Sequence, residues 1–117
     1  MGLTVHELRA MALALPEVEE KGHMGHPDFR VRNKIVVNLD EEARTTTIKV
    51  GLDDQAALVA TDPQTFSLAG GWAKYGWTTI HLDHVDADEL DELLRDVWLR
   101  VAPKKLHALL EDEPGQG

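Results

Sequence analysis

The sequence predicts an α+β domain of two layers, a sandwich in which helices pack on one face of an antiparallel sheet built from a meander plus a later strand. Three observations carry that expectation. Segments 28–32, 35–39 and 45–50 follow one another with strand periodicity or β-branched composition, as the strands of a meander do. Leu90, Leu93, Leu94, Val97, Trp98 and Val101 recur at helical spacing, which gives a long helix a single apolar stripe. No repeat, low-complexity tract or linker interrupts the 117 residues, so residues 1–117 form one domain around one core.

Taken in order, Thr4 and Glu7 form a capping box that starts a helix running to about Leu15. Val5, Leu8, Met11, Ala12 and Leu15 make its apolar stripe, and Pro16 ends it by disfavouring helical geometry in the residue before. Val18 to His23 is a short candidate strand, after which Gly22, Gly25 and Pro27 break the pattern. The alternation of Asp28 to Arg32 points Phe29 and Val31 one way and Arg30 and Arg32 the other. Asn33-Lys34 is the expected tight turn, followed by a strand with Ile35, Val37 and Leu39 on one face. After a polar turn over Asp40 to Arg44, the next strand places Thr46, Ile48 and Val50 on one face and Thr47 and Lys49 on the other. Asp53 is the expected N-cap of a helix to about Thr61, with Ala56, Ala57 and Leu58 as its apolar content. Phe66 to Gly76 carries Gly70, Gly71 and Gly76 and is expected to be an irregular loop. Trp77 to Leu82 then alternates as a later strand, with Thr78, Ile80 and Leu82 on one side and Trp77, Thr79 and His81 on the other. Asp86 and Glu89 form a second capping box at the start of the long helix, Pro103 opens a final short helix, and residues from about 112 to 117 are expected to be a disordered tail.

Composition narrows the function classes. With no cysteine, disulfides, thiolate nucleophiles and cysteine-bound zinc or iron-sulfur sites are excluded, and a reducing cytoplasm is the expected setting. The N-terminal MGLTVHELRAM lacks the signature of a signal peptide and no run of about 18 apolar residues occurs, so no membrane contact is expected. The 21 acids and 12 bases leave a net charge of -9, which opposes non-specific affinity for nucleic acid. Screening over about 8 Å nevertheless lets a local basic face act on its own. Such locality exists: Lys21, Arg30, Arg32 and Lys34, with His23 and His26, stand against the single acid Asp28 between residues 21 and 34.

No catalytic constellation emerges, and the chain is expected not to be an enzyme. Ser67 is the only serine and lacks a G-x-S-x-G elbow, and the Ala69-Gly70-Gly71-Trp72 glycines lack the lysine and strand-to-helix setting of a phosphate loop. His23, His26 and Asp28 are metal-compatible residue types, but their spacing across Gly25 and Pro27 does not aim both rings at one point; turn or solvent-facing histidines are expected instead, with no metal or cofactor. The acids from Asp86 to Asp96 fit a solvated helix face. Arg30, Arg32 and Lys49 with Trp77 and His81 suit a basic, partly aromatic sheet face for phosphate contact and stacking, the alternative being a polar outer face that keeps the domain soluble.

LALPEVEE, GHPDFRVRNKIVVNL, the strand GWTTIHL and the helix ELDELLRDVWLRVAPKKL, in that order, resemble the MmcQ/YjbR-like family of bacterial proteins. The resemblance implies a sandwich similar to the frataxin-like fold and a role in binding double-stranded DNA through paired β hairpins. The matching positions are Arg30, Arg32 and Lys34, with Lys49, Lys74 and Trp77 as second contacts. No family catalytic residue is carried over, and where the family usually has a Ser-Tyr pair this chain has Asp96-Val97-Trp98. A protein-interaction or small-ligand module using Trp77 and the Phe66 to Gly76 loop is the competing expectation.

Overall fold

Six strands make one antiparallel sheet in the computed structural model, which describes residues 2–23 and 25–111. The strands are β1 (Val18–His23), β2 (His26–Val31), β3 (Lys34–Asp40), β4 (Thr45–Lys49), β5 (Phe66–Leu68) and β6 (Trp77–His81), ordered β1-β2-β3-β4-β6-β5 across the sheet. The helices are α1 (Val5–Leu13), α2 (Leu52–Thr61), α3 (Ala87–Val101) and α4 (His107–Glu111), with 3₁₀ segments at Gly70–Tyr75 and Lys104–Leu106. The expected tail from about residue 112 lies outside the described residues.

Strand alternation sorts the sheet into two faces, as expected. Phe29, Val31, Val37, Leu39, Ile48 and Ile80 are buried and join Leu8 and Ala12 of α1 and Leu90, Leu94, Val97 and Trp98 of α3 in one core. The fully buried Trp98 donates its indole N–H to the Pro16 carbonyl at 2.9 Å, which fastens α3 to the turn after α1. The Thr4–Glu7 capping box forms with both of its hydrogen bonds. Among the described residues no helix is long and apolar enough to cross a membrane.

The differences from expectation have local causes. The β2–β3 turn is Arg32-Asn33, one residue earlier than Asn33-Lys34, because Val31 pairs with Lys34. Both turn residues have positive φ, 49° and 68°, the requirement of a type I′ turn, whose twist matches the flanking strands. Arg32 is therefore a turn residue and no longer alternates with Arg30. A bulge follows: Arg30 pairs with Ile35 and Phe29 with Val37, so Val36 is the extra residue and is buried with Val37. Ile35 consequently leaves the face of Val37 and Leu39.

Phe66–Leu68 is an edge strand where an irregular loop was expected, and most of the remainder of that loop is the 3₁₀ segment. The connection from β4 through α2 to β5 places β5 beyond β6, so β6 slots between two parallel strands. Gly51, rather than Asp53, is the N-cap of α2, without a side-chain bond. At α3, Asp86 caps by accepting from the Asp88 N–H at 3.2 Å, in place of a reciprocal box with Glu89.

Candidate binding face

The face of the sheet turned away from the helices carries Arg30, Lys49 and Trp77 of the predicted site residues, and its layout follows from strand register. Cross-strand partners share a face, so one polar row runs Lys21, Asp28, Asn38, Thr47, Thr79 and Ser67 across all strands. A neighbouring row joins Asp40, Thr45 and His81, and Lys49 lies opposite Trp77. Ser67 Oγ and His81 Nε2 are 3.1 Å apart, and His26 Nδ1 lies 3.9 Å from an Asp40 oxygen.

The 3₁₀ segment rims one corner of this face. Gln55, buried on α2, anchors it: its side-chain amide donates to the Ala73 carbonyl at 3.1 Å, the Trp77 carbonyl at 3.0 Å and Thr78 Oγ1 at 3.2 Å. Gly76 closes the segment with φ 99°, and its carbonyl accepts from the Val50 N–H. Thus held, the segment shows Trp72 and Tyr75 to solvent at 67% and 53% exposure, which is large for aromatic residues. Their rings are 6.2 Å apart, and Lys74 Nζ is 5.3 Å from the Tyr75 ring centre.

A hollow of about 370 Å³ is lined by Asn38, Thr47, Ala69, Trp72 and Trp77. A second, of about 490 Å³, shares Asn38, Thr47 and Ala69 and continues past Thr45 and Thr79 to His26 and Asp40. Together they make an open trough along the face. The Asn38 amide and the Thr47 and Thr79 hydroxyls donate and accept no side-chain hydrogen bond among the described residues, so their bonding capacity faces the trough.

The predicted cations divide into three groups. Arg30 is on this face but is gripped by Asp28, with nitrogens 2.7 and 3.1 Å from the two carboxylate oxygens, and that hydrogen bonding holds its pKa above the ordinary arginine value. Arg32, at the turn, pairs with Glu17 at 2.9 Å. Lys34 pairs in register with Val31 and so belongs to the opposite face, at the hairpin end. Lys49 and Lys74 make no ion pair among the described residues, and both are exposed beside Trp77, Trp72 and Tyr75. Arg30 and Lys49 thus share the face, while Arg32 does not join them.

Acidic charge concentrates elsewhere. Asp53 and Asp54 of α2 and Asp88, Glu89, Asp91, Glu92 and Asp96 of α3 lie in the helical layer. Burial first, then Asp62, Asp86 and Glu92, raise the Glu89 pKa above its ordinary value. No cluster of three or more His, Asp or Glu side chains suited to a metal occurs among the described residues; the side chain of His23 lies outside them.

Trp72, Asn38 and Gln55 were not singled out from sequence. Asn38 was findable, since it alternates with Val37 and Leu39; Trp72 sits in a glycine-rich stretch with no periodicity to orient it.

Comparison with known proteins agrees with this architecture. The structure is similar to the crystal structure of the Deinococcus radiodurans protein DR2400, of family-model domain DUF419, with a TM-score of 0.74 and 27% sequence identity over 84% of this chain and 78% of that one. Comparison with curated proteins finds no match. The family model named YjbR matches residues 13–100, a span from the end of α1 nearly to the end of α3 that includes the whole sheet. The chain belongs to the YjbR family.

Proposed function

We propose that this protein is a non-catalytic binding domain and that its partner is DNA, met by the open face of the sheet. One observation supports the reading above others: Lys49 and Lys74, free of ion pairs among the described residues, flank exposed aromatic rings, while the acids of α2 and α3 occupy the helical layer. Uncommitted ammonium groups release counterions when they meet phosphates, and flat aromatic faces stack on bases. Arg30 and Arg32 contribute less, since each guanidinium already has a carboxylate.

Fluorescence anisotropy with labelled DNA over a range of salt tests this reading. Affinity is expected to fall steeply with salt, and Lys49→Ala and Lys74→Ala are each expected to reduce the log–log slope by about 0.9, or about 0.7 for a single strand. Arg32→Ala is expected to leave that slope in place. Absence of binding to single- and double-stranded DNA at low salt would sink the proposal.

A further inference from the structure

We infer that the trough takes unpaired bases, so that its ligand is single-stranded nucleic acid with one base seated in the hollow between Trp72 and Trp77. The inference rests on the DNA-binding reading and names which form of the nucleic acid the site accepts.

Shape argues for it first. A duplex is read by elements that protrude into its grooves, whereas this surface is concave, with a hollow of about 370 Å³ at its aromatic end. That volume lies near the lower end of the roughly 300–1,000 Å³ usual for small-ligand sites, enough for one ring system. In an intact duplex the base faces are stacked on each other and offer nothing to an indole. Bases splayed from a single strand offer both face and edge.

Chemistry argues for it second. The hollow supplies two indoles for stacking, and its floor supplies Asn38 and Thr47, each able both to donate and to accept. An amide and a hydroxyl without internal partners are what a base edge needs, and a phosphate has no use for the Asn38 acceptor. The adjoining hollow extends the path over Thr79 and Thr45 for a neighbouring nucleotide. Charge then sets the strand's orientation. Asp40, at the far end, repels phosphate and the Asp28–Arg30 pair is neutral, while Lys49 and Lys74 attract it at the aromatic corner. The backbone therefore follows the lysine side, with the bases turned in towards Asn38.

The test measures tryptophan fluorescence and affinity for an oligothymidylate, a duplex of matching length, and thymidine monophosphate. The single strand is expected to quench the fluorescence and to bind at least about ten times more tightly than the duplex. Trp72→Ala is expected to weaken the single-strand complex by roughly 5- to 150-fold, the range for losing one base–aromatic stack, and to leave duplex affinity unchanged. Trp72 is 67% exposed, so this variant keeps the fold; an unchanged far-UV spectrum and melting temperature check it. Equal affinity for duplex and single strand with no effect of Trp72→Ala overturns the inference and leaves the DNA-binding reading standing. No binding of any oligonucleotide overturns both. Mononucleotide bound as tightly as the strand also overturns it, because the ring alone is then the ligand.

Discussion

Replacing Gln55 with methionine removes the one side-chain amide that ties α2 to the 3₁₀ segment and β6. The three neighbours of Gln55 Nε2 are two carbonyls, which only accept, and the Thr78 hydroxyl, which is already donating to the Gly76 carbonyl at 3.1 Å. Two N–H groups thus serve three acceptors. The loss is moderate because the acceptors have other partners: the Ala73 carbonyl also accepts from Gly76 N–H at 2.9 Å, and the Trp77 carbonyl from Ala69 N–H at 3.3 Å. Methionine keeps length and helix propensity, so no cavity term is added. The cost is then two net hydrogen bonds, about 2 kcal/mol, or a fall in melting temperature of roughly 6–10 °C for a chain of this size. Glutamate at the same position cannot donate when ionised and faces the same acceptors from a site only 7% exposed, so stability at neutral pH should order glutamine, methionine, glutamate. Urea denaturation gives the free energies, and hydrogen exchange at the Trp72 and Gly76 amides reports the segment directly. Methionine within about 0.5 kcal/mol of glutamine, or glutamate as stable as methionine, would refute the anchoring role, since a single net hydrogen bond is worth about that much at its weakest.

Three further outcomes follow from the same geometry. Gly76→Ala combines a positive φ with a Cβ that overlaps the Val50 carbonyl oxygen, so denaturation should show a loss of about 3 kcal/mol or more. Changing Arg32-Asn33 to Asn-Gly supplies the residues a type I′ turn favours, and even without the exposed Arg32–Glu17 pair, itself worth about 0–1 kcal/mol, the urea midpoint should rise by the equivalent of about 0.5–1 kcal/mol. Because the Glu89 pKa is raised, the folded state holds that proton more tightly than the unfolded chain, and ionisation destabilises the fold. Glu89→Gln should therefore stabilise at pH 7, by no more than about 0.5 kcal/mol at a partly exposed site, and the gain should vanish as pH falls below the ordinary value of 4.5; a gain that grows towards low pH would reverse the assignment.

Much of this architecture was legible because its signals are periodic. Phe29 and Val31, Thr46 and Ile48, and Thr78 and Ile80 alternate over enough residues to fix both strand and face, and the α3 stripe from Leu90 to Trp98 fixes the covering helix. What sequence missed is short or depends on distant neighbours. Phe66-Ser67-Leu68 is too brief to show a period and becomes a strand only because β6 offers a free edge. The Arg32-Asn33 turn lacks the glycine that usually marks type I′, and its position follows from the Val31–Lys34 pairing, which also forces the bulge at Val36. Gln55 looks like a solvent-facing polar residue until the Ala73 and Trp77 carbonyls arrive from the far side of the loop. The basic stretch from Lys21 to Lys34 stands out in an acidic chain, yet its arginines are engaged by Asp28 and Glu17. Lys21 and Lys34 of that stretch make no ion pair among the described residues, but the unpaired lysines beside the exposed aromatic rings, Lys49 and Lys74, lie on later segments.

Backbone amide and indole N–H chemical-shift mapping during titration with a short oligothymidylate addresses the central claim, that the open sheet face is the working surface. The largest shifts should fall on the Trp72 and Trp77 indoles and on Asn38, Thr47, Lys49 and Thr79, with Asp88, Glu92 and Asp96 of α3 unmoved. Shifts centred on α2 and α3, or spread evenly with none at the indoles, would contradict it.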